Sequence, residues 1–97
     1  MMLRAKMPVE TGNSAIKDGS LPRTIQSLVE RLKPEAAYFF PDEGKRSMLI
    51  VFNMQDVSQI PLLVEPLFMG LDASVTLTPV MNAEDLQKGL AEVAKLR

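Results

Sequence analysis

The clearest evidence for the fold is the stretch Arg46-Ser47-Met48-Leu49-Ile50-Val51-Phe52. Its five residues from Met48 to Phe52 are all apolar and do not alternate with polar ones, which is typical of a strand covered on both faces. A second β-like run, Ala36 to Phe40, precedes this stretch, and the residues from Pro41 to Gly44 have turn chemistry. The sequence therefore predicts a hairpin whose second strand, Lys45 to Met54, lies in the interior of a sheet.

Two amphipathic segments flank this hairpin. The first begins at a predicted N-cap, Ser20, and ends before Pro34, with apolar residues at helical spacing. The second carries a complete apolar stripe, formed by Ile60, Leu63, Val64, Leu67, Phe68 and Leu71. Leu62 and Met69 add a narrower apolar strip on the opposite side, so we expect this second helix to be covered from two directions.

The two ends of the chain supply the remaining predicted elements. Met2 to Met7 alternates apolar and polar residues, which predicts a first strand. Ala73 to Val80 predicts a last strand, and Pro79 favours an edge position because it cannot donate a ladder hydrogen bond. A final helix is predicted after Asn82, with an apolar face expected to point inward, formed by Leu86, Leu90, Val93 and Ala94. The segment from Glu10 to Gly19 is expected to be mostly loop, with at most one short helical turn.

These elements follow one another as β-α-β-β-α-β, with one extra C-terminal helix. The order predicts an α+β fold of the ferredoxin-like, split-βαβ type, with an antiparallel sheet and both main helices on one face. Because no linker, repeat or low-complexity tract interrupts the chain, residues 1–97 are predicted to form a single domain.

The composition excludes several kinds of site and partner. The 97 residues include no histidine and no cysteine, which excludes disulfides, thiolate or imidazole metal ligands, and Ser-His or Cys-His catalysis. We therefore expect no metal and no cofactor, and no catalytic constellation is recognisable. Eleven basic against twelve acidic residues argue against a nucleic-acid partner. Unbroken apolar runs of at most five residues argue against a membrane span or a signal peptide, so we expect a cytoplasmic location.

Four motifs carry a resemblance to known proteins: Pro8-Val9-Glu10-Thr11-Gly12-Asn13, Lys33-Pro34-Glu35-Ala36-Ala37-Tyr38-Phe39, Glu65-Pro66-Leu67-Phe68 and Thr78-Pro79-Val80-Met81. Over nearly its whole length the chain resembles a group of small uncharacterised bacterial proteins among the dimeric α+β barrel, ferredoxin-like proteins. The resemblance implies this fold and the pairing of two copies. It implies no activity and no functional residue, and many enzymes of this architecture use a histidine, which this chain lacks.

A homodimer is also expected from the apolar surface of the predicted sheet. In a split-βαβ sheet the helices cover one face, and the other face receives either Leu49 and Val51 or the remaining apolar residues of the third strand. The second strand adds aromatic residues to the sheet. Stacking a second copy, sheet on sheet, would bury this patch. The alternative is that the C-terminal helix folds back over the sheet of its own chain and leaves a monomer.

The best candidate for a binding site is a polar cluster on the helix-free face. Arg4 and Lys6 are expected to project from the first strand beside Thr76 and Thr78 of the last strand. An anionic small molecule held between two sheets could pair with the cations and accept hydrogen bonds from the hydroxyls, and Tyr38 is a further candidate donor. The alternatives are acidic partners across the dimer or simple solvation. Two functions stay open: a module that binds a small molecule, and a purely structural or protein-interaction unit.

Overall fold

The computed structural model describes residues 1–96 and contains an α+β domain with a four-stranded sheet. Its strands are β1 (Met2–Lys6), β2 (Ala36–Asp42), β3 (Lys45–Val51) and β4 (Ser74–Thr78). Its helices are α1 (Val9–Lys17), α2 (Ser20–Leu32), α3 (Ile60–Leu71) and α4 (Ala83–Ala94), and a 3-10 turn (Val57–Gln59) precedes α3.

All strand pairs are antiparallel, and the strand order is β2-β3-β1-β4. The continuous apolar strand β3 lies in the interior of the sheet, and β4 lies at an edge, as the sequence predicts. This architecture is compatible with a ferredoxin-like fold.

The hairpin between β2 and β3 has a tighter turn than the four residues of the prediction. Pro41 and Asp42 belong to β2, and only Glu43 and Gly44 form the loop, with φ angles of 55° and 76°. Two central residues at positive φ are the geometry of a type I′ turn, which matches the twist of the flanking strands. Asp42 and Glu43 therefore stand at the end of the sheet, next to the end of β1.

The core lies between one face of the sheet and the helices α1, α2 and α3. Leu3 and Ile50 of the two central strands are fully buried there, opposite the stripe of α3. Four residues of that stripe are buried, namely Leu63, Val64, Leu67 and Leu71. The expectation that α3 is covered from two directions is wrong for the single chain, because Leu62 and Met69 are 60% and 76% exposed.

The segment after β1 is a helix, α1, where the sequence predicts mainly a loop. Gly12 and Asn13 have low helix propensity, so local preference alone does not favour this helix. Tertiary contacts stabilise it: Gly12 and Ala15 are buried, and Thr11 Oγ1 donates a hydrogen bond of 2.9 Å to Asp72 Oδ2 at the end of α3. Gly19, at φ 80°, separates α1 from α2.

The C-terminal helix α4 does not face inward as predicted. Asn82 and Asp85 form the expected capping box, yet every residue of α4 is exposed. The Cα radius of gyration is 16.1 Å, against about 12.5 Å for a compact chain of this length. The described residues measure 58 × 27 × 18 Å because α4 projects from the body. The alternative in which this helix covers its own sheet is therefore wrong.

None of the helices in the described part of the chain combines the length and the apolar character that crossing a bilayer requires.

Candidate functional site on the helix-free sheet face

The strand registers define which side chains lie on the sheet face that no helix covers, here called the helix-free face. Its β1 and β4 half is mainly polar and consists of Met2, Arg4, Lys6, Ser74, Thr76 and Thr78. Its β2 and β3 half is mainly apolar and consists of Ala36, Tyr38, Phe40, Asp42, Lys45, Ser47, Leu49 and Val51. The apolar residues of β3 thus divide between the core, which receives Met48 and Ile50, and this face.

An open cleft of about 360 Å³ lies over the polar half. Arg4, Lys6, Thr76 and Thr78, which the sequence predicts as a cluster, all line it. The structure also places residues there that the sequence does not predict for the site, among them Phe40, Asp42, Ser47 and Ser74. Strand alternation could have found Ser74, which lies two residues before Thr76 on the same face.

Lys6 is paired with acidic side chains of its own chain. Its Nζ lies 3.1 Å from Asp42 Oδ2 and donates a hydrogen bond to the Glu43 carboxylate. The bond to Glu43, and then that to Asp42, raises the pKa of the lysine above its ordinary value. The turn chemistry that the sequence predicts for Asp42 and Glu43 is therefore only part of their role. The tight turn brings both carboxylates to Lys6, 36 and 37 residues away in the sequence.

Arg4 is less completely paired than Lys6. Its Nη2 lies 3.9 Å from Asp42 Oδ2, too far for a hydrogen bond, and 51% of its side chain is exposed. None of the side-chain hydrogen bonds found within residues 1–96 involves its guanidinium group, which has five N–H donors. Arg4 is therefore the cation of the cleft that has donors available for a ligand.

Strand β4 places a row of hydroxyl groups along the cleft. Ser74, Thr76 and Thr78 pair in register with Lys6, Arg4 and Met2 and are all exposed. Side chains on the same face of a strand recur about every 6.7 Å. Because Thr76 pairs with Arg4 directly across the ladder, a ligand bound to Arg4 also meets the Thr76 hydroxyl. Each hydroxyl can donate one hydrogen bond and accept two.

Tyr38 lies on the same face but not in the cleft. It pairs with Leu49, which pairs with Arg4, so Tyr38 is two strands away from the guanidinium, or about 10 Å across the sheet. Its side chain is 64% exposed. The single chain thus brings together four of the five predicted site residues and leaves Tyr38 on the apolar half.

Across residues 1–96 the structure contains no group of three or more acidic side chains placed to hold a metal ion, and the sequence has neither histidine nor cysteine. The chemistry of the cleft is therefore that of a guanidinium, an internally paired ammonium, hydroxyls and one carboxylate.

Comparisons with known protein families, curated proteins and solved structures gave no match to this chain. The geometry of the cleft and of the exposed surfaces is therefore the basis for assigning a function.

Proposed function

We propose that this protein is a homodimeric, ferredoxin-like module that binds a small anionic molecule in the cleft on its helix-free face. The observation that carries the proposal is Arg4, a half-exposed guanidinium with available donors, next to a row of hydroxyls in a cleft of about 360 Å³. Pockets that hold small molecules measure about 300 to 1,000 Å³ and contain a few convergent polar groups.

The charge balance of the cleft favours a ligand of low charge. Two cations, Arg4 and Lys6, stand against the Asp42 carboxylate in the cleft and the Glu43 carboxylate beside it, which pairs with Lys6. A carboxylate or a phosphate monoester can pair with Arg4 in a bidentate manner and accept hydrogen bonds from Thr76, while its remaining atoms contact Phe40. A highly charged polyanion would be repelled by the two carboxylates.

The dimer is proposed because the cleft is open on one side and the other half of the same face is apolar. Tyr38 is largely exposed, and Leu49 and Val51 are only half-buried. A second copy stacked on this face would bury these residues and close the cleft, at the spacing of about 10 Å that two packed sheets adopt. The resemblance to dimeric α+β barrel proteins supports the same arrangement, and the expected cytoplasmic location is part of this proposal.

A second candidate function is a protein-interaction module whose interior holds no ligand. The internal pairing of Lys6 with Asp42 and Glu43 favours it, because one of the two cations needs no anionic partner. This candidate predicts that neither carboxylates nor phosphate bind at Arg4.

Inorganic phosphate and acetate are suitable probes for the anion site. We expect amide NMR shifts of Arg4 and Thr76 to saturate with either anion at constant ionic strength, and Arg4→Ala to weaken that binding at least about fivefold, because a charged hydrogen bond is lost. Arg23→Ala, which removes an exposed arginine on α2, is the matched control and should bind as the wild type does. Equal binding to wild type and Arg4→Ala, or no binding of either anion, would refute the anion site.

Light scattering tests the dimer separately. The wild type should have twice the chain mass of 10.7 kDa at micromolar concentration. Leu49→Lys should return the mass to that of one chain, since it places a charge in the stacked face. Leu62→Lys, on the exposed side of α3, should stay dimeric. A wild type that is monomeric at all accessible concentrations contradicts the dimer.

A further inference from the structure

The helix α4 carries an apolar stripe that the body of the same chain does not cover. Leu86, Leu90 and Val93 follow one another at spacings of four and three residues and are 45%, 57% and 55% exposed. The charged residues of the helix, Lys88 and the three acidic ones, lie away from this stripe. A stripe of this kind is the sequence signature of a helix that packs against something.

The helix also needs a partner surface for its own stability. It has 12 residues, and isolated helices of fewer than about 12 to 15 residues are marginal in water even with good helix formers. Gly89 lowers its stability further, and nothing lies within 4 Å of the position that a Cβ would take there. The capping box of Asn82 and Asp85 satisfies only the first turn.

The body of the chain has a complementary apolar groove, here called the β2 groove. It lies beside β2 on the face that carries α1, α2 and α3, has a volume of about 430 Å³, and is lined chiefly by Met7, Ile16, Leu21, Ile25, Phe39 and Pro41. Phe39 and Ile16 are 52% and 49% exposed, although both belong to the helix-covered side. The groove exists because the helix layer leaves the edge strand β2 partly uncovered.

We propose that α4 of a second copy of this chain packs into the β2 groove, so that two copies exchange their C-terminal helices. Leu86, Leu90 and Val93 match the i, i+4, i+7 anchors of a helix bound in an apolar groove. Arg46 is the charged residue that lines the groove, and α4 carries three acidic residues, Glu84, Asp85 and Glu92, against one lysine, Lys88. The net charge of the helix is thus opposite in sign to that of the groove.

The position where α4 begins favours exchange over folding back. Asn82 and Asp85 share a pocket with Met1 and Val51, at one end of the sheet, whereas the β2 groove reaches Met7 and Pro41 at the other end. From its first turn α4 runs away from the body and therefore away from the groove of its own chain. Because β2 is an edge strand, a helix from a copy stacked on the helix-free face can reach the groove around that one strand.

The area that a stable dimer needs gives a further reason. Two strands of five residues and two of seven, each about 4.8 Å wide, cover roughly 390 Å² in projection, whereas a standard interface buries about 800 Å² per partner. A helix of this length and width adds about 180 Å², and each copy contributes one helix and one groove. Helix exchange therefore brings the interface to roughly 750 Å² in projection, close to the size of a stable complex.

This inference rests on the homodimer of the proposed function but not on its ligand. The chain has no cysteine, so cysteines can be introduced singly and two variants can be mixed. After mixing, refolding and mild oxidation, a tagged Leu90→Cys chain and an untagged Phe39→Cys chain should form a disulfide-linked heterodimer. Lys88→Cys, on the opposite side of α4, is the matched control and should give at most about a tenth of that product, because its Cβ points away from the groove.

Three results would overturn helix exchange. Disulfides formed only between two Leu90→Cys chains would show that the two helices pair with each other. A monomeric disulfide in the Leu90→Cys, Phe39→Cys double variant, with none between mixed chains, would show that α4 occupies its own groove. If the wild type is a dimer but Leu90→Cys and Phe39→Cys form no disulfide, either between mixed chains or within one chain, the exchange alone is refuted. The stacked sheets of the proposed function would then still stand.

A charge placed in the stripe provides a second measurement. Leu90→Asp should raise the dimer dissociation constant at least about tenfold, since it removes an anchor and buries a carboxylate. Ala91→Asp adds the same charge on the polar side of α4 and costs the helix at least as much propensity, yet it should change that constant less than about threefold. Equal effects of the two substitutions would contradict the exchange.

Discussion

Replacing Asp42 by asparagine tests the proposed anion site most directly. The Asp42 carboxylate lies 3.9 Å from Arg4 Nη2 and 3.1 Å from Lys6 Nζ, so it competes with any anion for both cations. Asparagine keeps the size of the side chain and removes the charge. We therefore expect Asp42→Asn to strengthen anion binding at Arg4.

The magnitude follows from Coulomb's law. An anion bound to Arg4 would lie about 5 to 7 Å from the Asp42 carboxylate, and at effective dielectric constants of about 40 to 80 the repulsion is roughly 0.6 to 1.7 kcal/mol. Removing it should lower the phosphate dissociation constant by about 3- to 18-fold at low salt. The gain should shrink toward about 1 M salt because charges on an exposed face are screened.

The assay is a phosphate titration of the wild type and Asp42→Asn, followed by the amide shifts of Arg4 and Thr76 at low and high salt. Glu43→Gln is the matched control, because it removes one charge from the same turn but has an ion pair with Lys6 and none with Arg4. A weaker or unchanged phosphate affinity in Asp42→Asn, or an equal gain in Glu43→Gln, would refute the reasoning.

Two further predictions concern stability. Leu67→Ala should lower the free energy of unfolding by about 2 to 5 kcal/mol, because Leu67 is only 1% exposed and its removal leaves a cavity. Urea denaturation measures this loss, with Leu62→Ala at a 60% exposed position as the control. An equal loss in the two variants would contradict the placement of Leu67 in the core. The Ser58 amide donates a hydrogen bond to Asp56, which lowers the pKa of that carboxyl below its ordinary value of 3.8. Its stabilisation is therefore present above that pH and is lost as the pH falls below it, so Asp56→Asn should lose less stability than the wild type in acid denaturation, and parallel curves would contradict this.

The strands and the main helices could be predicted because their signals are local. The unbroken apolar run of β3 and the stripe of α3 each follow from residues a few positions apart, and the capping box of Asn82 and Asp85 spans three residues. The helix α1 could not be predicted in this way. Its stability depends on burial of Ala15 and on a hydrogen bond from Thr11 to Asp72, 61 residues away.

The cleft was predicted in part for the same reason. Alternation along two strands was sufficient to place Arg4 and Lys6 beside Thr76 and Thr78, since side chains two residues apart share a face. The ion pairs of Lys6 were not predicted, because they depend on the conformation of a turn that brings Glu43 next to a strand 37 residues earlier.

By itself the sequence determined the secondary structure of the sheet, the amphipathic character of the helices and the exclusion of histidine and cysteine chemistry, all of which depend on composition and short-range periodicity. The tertiary structure alone decided that Lys6 is more fully paired within the chain than Arg4, that Tyr38 lies outside the cleft, and that α4 leaves its own body. A periodic pattern shows that a face is apolar, but which surface meets that face depends on contacts between residues far apart in the chain.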